Sequence, residues 1–263
     1  MKVFITGASS GIGAALASAY TKRYKNQEVA IGLAARRSEH LQSIKLLLEK
    51  NSKIHCRIYP LDVRDQNALA EAANDFIKHA GVPDTVIACA GVSRGTLTEH
   101  QEDIAAFQAV MDINVMGMVH TFQPFISAMR QAGAGQLVGI ASVAGIRGLP
   151  GAGAYSASKA AAISYLESLR VEMAPSNIAV TTIAPGYIRT PMTDVNAYKM
   201  PFLMDADVAA MKFLKAIENK RRFVVIPWQM GWLARMMKFI PPLIWDWAMK
   251  KAPYKPRLDW DWL

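Results

Sequence analysis

Four residues of this sequence could together move a proton during a reaction. Tyr155 and Lys159 stand four positions apart in a segment of helical character, so both side chains project from one helix face. Ser142 precedes them by thirteen residues, and Asn114 lies further upstream. A phenol can give and take a proton, and a nearby ammonium group makes it a stronger acid because it stabilises the phenolate. Taken singly, these residues also fit a surface helix pair, a strand-end cap and a helix kink.

A glycine-rich turn near the first residue indicates what this proton-handling set works with. A short β-rich run, Lys2–Thr6, leads into a Thr-Gly-x-x-x-Gly-x-Gly motif at positions 6–13 and then into an alanine-rich helical segment, 14–24. Glycines let a backbone approach a pyrophosphate closely, and a helix N-terminus offers N–H groups and a partial positive charge. An ordinary strand–helix turn would look similar. We expect nucleotide contacts from these residues: Gly7, Ser9, Ser10, Gly11, Ile12 and Gly13.

The end of the second strand bears on the choice of nucleotide. Val29–Ala35 reads as a buried strand, and Arg36 and Arg37 follow it. An acidic side chain at this point binds a ribose 2′-hydroxyl, whereas the planar guanidinium of an arginine suits a 2′-phosphate. Ala35 occupies the acidic position, so we expect NADP(H) rather than NAD(H). The alternative is that the two arginines are the solvated start of a helix.

Strands and helices alternate along most of the chain. Further strand-like runs lie at 54–59, 84–88, 136–142, 178–183 and 223–226, and helical segments at 38–50, 66–80, 101–129, 154–173 and 205–219. Such alternation predicts an α/β fold with a parallel sheet covered by helices on both faces. Asp62, with Val63 after it, follows the third strand and is placed either to reach an adenine amino group or to cap the next helix. We expect one catalytic domain, 1–226, and a C-terminal extension, 227–263.

The order and spacing of these motifs resemble one known family, the short-chain dehydrogenase/reductases. The resemblance spans about residues 1–226 and rests on the motif at 6–13, Asp62, Ala90-Gly91, Asn114, Ser142, Tyr155, Lys159 and Pro185-Gly186. It implies a Rossmann-type, doubly wound parallel sheet of about seven strands in three layers. It also implies a bound NAD(P)(H) and the interconversion of an alcohol and a carbonyl compound.

The resemblance gives each motif an expected role. Tyr155 would exchange the proton with the carbonyl oxygen, and Ser142 would bind that oxygen. Lys159 would lower the tyrosine pKa and hold the nicotinamide ribose, while Asn114 would anchor a water that links Lys159 to solvent. Further cofactor contacts are expected from Asp62, Val63, Ala90, Gly91, Pro185, Gly186, Ile188 and Thr190. No metal site is expected.

The chain departs from the family after its fourth strand. The family often has Asn-Asn-Ala-Gly there, and this chain has Ala88-Cys89-Ala90-Gly91. The missing amides remove hydrogen bonds that would steady the central sheet. Because cofactor contact at this point is largely through the backbone, we expect binding to survive. Cys89 is interpreted as a buried small side chain rather than a redox group.

Two loops are expected to shape the substrate site. Segment 191–204 is rich in methionine and aromatic residues, which suits an adaptable lid over an apolar carbonyl or alcohol, although ordinary loop packing explains it equally well. Loop 146–151 should form another wall. The residues expected to contact substrate are Ser142, Ala144, Leu149, Tyr155, Tyr187 and Met192.

The C-terminal extension concentrates charge and tryptophan. The chain has a net charge of +9, and segment 212–263 holds eleven Lys/Arg against four Asp/Glu, together with all six tryptophans. Trp228, Trp232, Met236 and Ile240 recur at helical spacing, with basic residues beside them. Burial of this stripe against a second subunit or over the pocket is one interpretation, and an interfacial helix on an anionic membrane is the other.

The sequence thus predicts an NADP(H)-dependent oxidoreductase for a hydrophobic ketone or aldehyde and its alcohol. The alternative is a non-catalytic NADP(H)-binding or membrane-docked interaction protein. Two cysteines without a disulfide framework, and no signal-peptide or spanning-helix pattern, favour the cytoplasm, with association on the cytoplasmic face of a membrane as an option. We expect a homodimer or homotetramer. No basic stripe outside the extension suggests nucleic-acid binding.

Overall fold

The structure, a computed structural model, describes residues 1–257. Its strands are β1 (Lys2–Thr6), β2 (Val29–Ala35), β3 (Ile54–Pro60), β4 (Thr85–Ala88), β5 (Gly135–Ile140), β6 (Ile178–Pro185), β7 (Ile188–Arg189), β8 (Met204–Asp205) and β9 (Phe223–Ile226). Seven of them form one parallel sheet in the order β3-β2-β1-β4-β5-β6-β9. The predicted parallel sheet of about seven strands is confirmed.

Helices follow nearly every strand. They are α1 (Gly11–Arg23), α2 (Ser38–Leu48), α3 (Gln66–Ala80), α4 (Asp103–Met111), α5 (Gly117–Ala132), α6 (Gly153–Met173), α7 (Pro191–Asp194), α8 (Ala206–Glu218), α9 (Trp228–Phe239) and α10 (Pro242–Met249). A π-helical turn, Asp112–Met116, joins α4 to α5, and a 3₁₀ turn, Val143–Gly145, follows β5.

Two apolar cores lie on opposite faces of the sheet. One contains side chains of α1, α2 and α8, among them Leu16, Leu41 and Phe213. The other contains side chains of α3, α5 and α6, among them Phe76 and Phe122. Strands such as β2 are almost continuously apolar because parallel strands are covered on both faces. The predicted three-layer, doubly wound architecture is therefore confirmed.

The strand order places a cleft at the carboxyl ends of β1 and β4. β1 pairs with β2 on one side and β4 on the other, so successive crossovers leave the sheet in opposite directions at this point. A crevice opens where the strand order reverses, and ligands of such sheets bind there. The glycine motif follows β1, and Ala90-Gly91 follows β4, so both lie at this crevice.

The local structure tests the expectation that Asp62 caps α3, and it shows how the lid segment is held. The N-cap of α3 is Asp65, whose side chain accepts a hydrogen bond from the Ala68 backbone at 3.0 Å. The interpretation of Asp62 as that cap is therefore wrong. The lid segment is tied at its base, because β7 and β8 pair in parallel on either side of it.

The C-terminal extension is two helices and an extended segment laid against the catalytic fold. α9 packs inward through Met230 and Ala234, which are buried. Trp228, Trp232 and Met236 are exposed, so the expectation that their stripe roofs the pocket is wrong. Within residues 1–257, no helix is long and apolar enough to cross a membrane. Trp260 and Trp262 lie outside the described residues.

Candidate active site

A cavity of about 270 Å³ occupies the crevice at the carboxyl ends of the strands. Every residue expected to bind cofactor lines it. The predicted residues in its wall are Gly7, Ser9, Ser10, Gly11, Ile12, Gly13, Arg36, Arg37, Asp62, Val63, Ala90, Gly91, Ser142, Tyr155, Lys159, Pro185, Gly186, Ile188, Thr190 and Met192. Residues far apart in the sequence thus converge on one space.

The glycine turn at the floor of the cavity is too crowded for side chains. Gly7 has φ +69°, and a Cβ there would lie 2.6 Å from the Ala90 backbone. A Cβ on Gly13 would collide with the Gly7 carbonyl. Ser10, the N-cap of α1, makes no side-chain cap bond, so the first N–H groups of the helix are left for another acceptor. These features fit the pyrophosphate of a dinucleotide.

The two arginines after β2 have different partners. The Arg37 guanidinium donates to Ser10 Oγ at 2.7 Å and to Ser9 Oγ at 3.0 Å, at the edge of the glycine turn. Arg36 Nη1 lies 4.0 Å from Asp62 Oδ2. Both guanidinium groups reach the same end of the cavity. Both side chains are exposed and Arg37 is the N-cap of α2, so the alternative of a solvated helix start stays open.

Asp62 is held as a carboxylate by neighbouring cations. Burial disfavours its charge, but the side-chain and backbone N–H groups of Arg64, each 2.9 Å away, and the charge of Arg36 together keep its pKa below the usual value. Sequence reasoning missed Arg64. The sequence could have indicated this contact, because Asp62 and Arg64 carry opposite charges and are two residues apart in the turn before α3.

Lys159 is buried beneath the catalytic end of the cavity. Its Nζ donates to the Ile140 carbonyl at 2.9 Å, which fixes α6 against the end of β5. Burial lowers the pKa of Lys159 to about 8, with Cys89 opposing that shift. Cys89 itself lies in the cavity wall, and burial raises the pKa of its thiol to about 12. That thiol is therefore protonated at neutral pH.

Tyr155 and Ser142 meet at the cavity's inner wall. Burial raises the pKa of Tyr155, and a hydrogen bond with Ser142 opposes that rise. The Lys159 Nζ lies 5.8 Å from the Tyr155 ring centroid. Ser142 Oγ also accepts from the Ala144 N–H at 3.1 Å, which orients the hydroxyl at the start of the 3₁₀ turn. The three predicted residues are thus brought together at one wall of the cavity.

Asn114 lies behind the cavity rather than in its wall. It is fully buried in the π-helical turn, and its Nδ2 donates to the Val92 carbonyl and to Ser158 Oγ, each at 2.9 Å. Its Oδ1 accepts from the Val92 N–H at 2.8 Å. Because an amide oxygen can accept twice, the expected water could be held only through Oδ1. Ser158 also donates to the Tyr155 carbonyl at 2.8 Å, a connection that residue spacing did not reveal.

The loop after β6 closes one side of the cavity. Pro185, Gly186, Ile188 and Thr190 line the wall as expected. The Thr193 hydroxyl, not foreseen from the sequence, donates to the Ile188 carbonyl at 2.7 Å and accepts from the Thr190 N–H at 3.0 Å. These bonds hold the short α7 onto the loop, so the base of the lid is rigid.

Three residues expected at the substrate do not line this cavity. Ala144 is buried in the 3₁₀ turn, where its N–H is bound by Ser142. Tyr187 packs edge-on against Tyr198 at 6.4 Å between ring centroids. Leu149 lines a neighbouring cavity between loop 146–151 and α10. Their contact with substrate stays a prediction.

The C-terminal extension reaches the two loops beside the cavity. Arg147 donates to the Met237 and Ile240 carbonyls at 2.8 and 2.7 Å and stacks over Trp245 at 4.7 Å. Further along, Lys255 Nζ donates to Ser93 Oγ at 2.9 Å. Burial lowers the pKa of that lysine to about 8.

The last described residue fastens the extension to α4. Arg257 pairs with buried Asp103 at 2.8 Å and with Glu102 at 2.8 Å. Asp103 also accepts the Leu97 N–H at 2.8 Å, so one carboxylate joins the extension to the loop before α4. The extension is therefore fastened beside the site, although none of its described residues lines the cavity.

Comparison with known proteins decides the family. The family model for short chain dehydrogenases matches residues 1–200. This chain belongs to the short-chain dehydrogenase family. A relative described as an uncharacterized oxidoreductase from Myxococcus xanthus is 34% identical over 249 residues, which cover 94% of this chain and 95% of the relative.

Two further matches of this short-chain dehydrogenase carry descriptive names. The 11-beta-hydroxysteroid dehydrogenase-like 2 of Arabidopsis thaliana is 31% identical over 247 residues, 92% of this chain and 78% of the relative. A short-chain dehydrogenase from Sphingobium yanoikuyae, solved in complex with NADPH, superposes with a TM-score of 0.76 at 23% identity, over 92% of this chain and 96% of that one. The predicted family and its Rossmann-type fold are confirmed, and the chain is an oxidoreductase of that family.

Proposed function

We propose that this short-chain dehydrogenase interconverts a hydrophobic ketone or aldehyde and its alcohol, with NADP(H) as the hydride carrier and Tyr155 as the general acid and base. The observation that carries the proposal is the convergence of Tyr155, Ser142 and Lys159 on one cavity that also contains a glycine turn suited to a pyrophosphate. Neither feature alone would distinguish an enzyme from a binding protein.

The residues of the chain account for the proton half of the reaction. NADPH, when bound, would supply the hydride for the carbonyl carbon. Ser142 donates a hydrogen bond to the carbonyl oxygen and stabilises the charge that develops on it. Tyr155 gives its phenolic proton to that oxygen, which leaves a phenolate that must be stabilised and reprotonated. Lys159, whose Nζ lies 5.8 Å from the Tyr155 ring centroid, stabilises this phenolate as a nearby cation.

The pKa values of the site explain why the cation is required. Burial alone raises the pKa of Tyr155 above its usual value of about 10, which makes the phenol a poor acid near neutral pH. Lys159, whose pKa is lowered to about 8, is still charged at neutral pH. Its charge favours the phenolate and so moves the Tyr155 pKa back toward the working range.

The preference for NADP(H) rests on Arg37 and on the missing acid. Ala35 leaves no carboxylate to bind a ribose 2′-hydroxyl, and the Arg37 guanidinium lies beside the Ser9 and Ser10 hydroxyls. A cation flanked by hydroxyl donors suits a 2′-phosphate. NADPH bound to the Sphingobium yanoikuyae protein is in keeping with this preference.

The proposal that the substrate is apolar rests on the residues of the lid segment and on the name of one relative. Met192 lies in the cavity wall, and the rest of segment 191–204 is rich in methionine and aromatic side chains. Met side chains adapt to apolar ligands of different shapes. The name of the Arabidopsis thaliana relative refers to hydroxysteroids, which are apolar alcohols.

Oxidation of NADPH in the presence of a panel of hydrophobic ketones and aldehydes tests the proposal. We expect at least one substrate to be turned over, faster with NADPH than with NADH, and Tyr155→Phe to bind NADPH normally while turnover is lost. Tyr165→Phe is the matched control, because it removes a phenol of the same helix α6 that does not line the cavity, and it should retain activity. Normal turnover by Tyr155→Phe would refute the mechanism, and tight NADPH binding without turnover of any substrate would favour a non-catalytic binding protein.

We also propose that the enzyme is a cytoplasmic homodimer or homotetramer. Ile104 and Phe107 are exposed on α4, and Val171 is exposed on α6, which packs against α4. Exposed apolar side chains on neighbouring helices favour association of subunits. Light scattering of the purified chain measures its mass directly, and a monomer at micromolar concentration would contradict this assembly.

A further inference from the structure

The two helices of the extension present an apolar surface to solvent. Its members, here called the outer apolar face, are between 61% and 84% exposed: Trp228, Trp232, Met236, Phe239, Leu243 and Trp247. On α9, the first four fall within a narrow arc on the side of the helix opposite Met230 and Ala234, which face the fold. Soluble monomers rarely leave several large aromatic side chains together in water, so this surface indicates a partner.

The charges around the outer apolar face are almost all positive. Segment 228–251 contains Arg235, Lys238, Lys250 and Lys251, all exposed, and a single acid, Asp246. An isologous contact with a second copy would bring the same cations of both chains together, which is unfavourable. An anionic partner would instead neutralise them. Tryptophan beside lysine and arginine is the composition of segments that lie in the headgroup region of a bilayer.

We propose that the outer apolar face docks the enzyme on an anionic lipid surface. The aromatic side chains would enter the headgroup layer while the four cations bind anionic headgroups. The face is held firmly enough for this, because Arg147 binds the carboxyl end of α9 and stacks on Trp245 of α10. Docking of this kind needs no spanning helix and would be reversible.

The helix α9, whose outer side forms part of the docked surface, contacts the wall of the active site through its inner side. Met230 of α9 lies directly under Gly186 of the cavity wall, where an added Cβ would be 2.7 Å from the methionine side chain. Arg147 connects the helices to loop 146–151, close to Ser142 and Tyr155 in the chain. Docking would therefore bring the cavity wall within about one helix diameter, roughly 10 Å, of the lipid in which an apolar substrate dissolves. This last step rests on the proposed function, whereas the docking itself does not.

Co-sedimentation with vesicles tests the docking without any measurement of activity. The full chain is mixed with phosphatidylcholine vesicles that contain or lack phosphatidylglycerol, an anionic lipid. We expect binding only to the anionic vesicles and weaker binding at high salt. The double variant Trp232→Ser/Phe239→Ser should lose binding by about tenfold or more. Arg235→Gln/Lys238→Gln should lose about fivefold for each cation removed.

Matched controls change the same residue types elsewhere. Leu46 and Leu47 are exposed on α2, next to the strand at the opposite edge of the sheet, and Lys22 and Lys25 are exposed near the end of α1. Leu46→Ser/Leu47→Ser and Lys22→Gln/Lys25→Gln should bind like the parent chain. NADPH binding by every variant verifies that it is folded.

Three results would overturn the docking. The first is equal binding to neutral and anionic vesicles, and the second is equal loss in the control variants. The third is the absence of binding by the parent chain to anionic vesicles; if Trp232→Ser/Phe239→Ser then also changes the oligomeric mass, the face belongs to a contact with a second copy. If vesicles bind but lipid-dissolved ketones are not reduced, docking stands and the proposed substrate class fails.

Discussion

Replacing Lys159 with methionine isolates the electrostatic part of the proposed mechanism. Lys159 is buried, and its pKa of about 8 means that it carries its charge at neutral pH. Methionine keeps much of the side-chain volume and removes the charge. Because the Nζ also donates to the Ile140 carbonyl, the variant loses one hydrogen bond in addition. The unfolding free energy is measured alongside activity to account for that loss.

The size of the effect follows from the geometry. The Lys159 Nζ lies 5.8 Å from the centre of the Tyr155 ring. At an effective dielectric constant of about 20, a cation and a phenolate charge separated by about 6 Å attract by about 3 kcal/mol, which sets the scale of the effect. An energy of about 3 kcal/mol equals roughly 2 pKa units. We therefore expect Lys159→Met to raise the Tyr155 pKa by roughly 2 units.

The assay is the pH dependence of kcat for oxidation of an alcohol by NADP⁺. In this direction the ionised Tyr155 accepts the proton, so kcat rises with pH through the tyrosine pKa and levels off above it. Lys159→Met should shift that rise upward by roughly 2 pH units, with a loss of about 100-fold at neutral pH that is recovered in alkaline solution.

The control is Lys159→Arg, which keeps a permanent cation and should leave the midpoint of the profile closer to that of the parent chain. Loss of kcat by the same factor at every pH, with no shift of the midpoint, would refute the electrostatic role. It would leave Lys159 as a residue that only holds the cofactor, and the dissociation constant of NADPH would then rise in proportion.

Three further predictions concern cofactor choice, the contacts behind the active site and the extension. Arg37→Ser should raise KM for NADPH about 10- to 100-fold, as for loss of charged hydrogen bonds, and leave KM for NADH unchanged; equal effects on both would contradict 2′-phosphate binding. Ser158→Ala removes the acceptor of an Asn114 N–H and should lower kcat about tenfold with little change in KM for NADPH; an unchanged kcat would make this bond structural only. Lys255→Met should raise the unfolding free energy by about 1–2 kcal/mol at neutral pH, after a discount for partial exposure. Burial lowers the Lys255 pKa from 10.5 to about 8. The free-energy cost of burying the charged lysine is therefore complete below about pH 8, and it decreases as the pH approaches 10.5. Urea titrations at neutral pH and at about pH 10 should therefore show a gain that shrinks; a pH-independent gain would be a packing effect.

Much of the fold could be predicted because the strands are read directly from composition. β1, β2 and β9 have the bounds expected from their apolar runs. In a parallel sheet both faces of a strand are covered, so the whole run is apolar and its ends are sharp. The order of the strands was not predicted, since an apolar run carries no information about its neighbour.

The packing of the C-terminal extension, in contrast, could not be predicted from its sequence. Helical spacing correctly indicated that Trp228, Trp232 and Met236 share one side of α9. Periodicity does not say which side faces the protein, because Met230 and Ala234 form a second, smaller apolar side. A small side chain such as that of Ala234 lets α9 approach the fold closely, whereas large exposed side chains are available for contact with a partner. The sequence therefore left the partner of this side open, and within the described chain the side faces solvent.

The roles of Arg36 and Arg37 in the cofactor site could also be predicted only in part from the sequence. The sequence placed Arg36 and Arg37 at the end of β2 but could not assign them separate partners, because adjacent side chains leave the backbone in different directions. Arg36 lies near Asp62, whose negative charge offsets part of its own. Arg37 instead donates to the uncharged hydroxyls of Ser9 and Ser10, which do not offset its charge. The capacity to bind a 2′-phosphate therefore rests chiefly on Arg37, and Arg36→Ser should change KM for NADPH less than Arg37→Ser does.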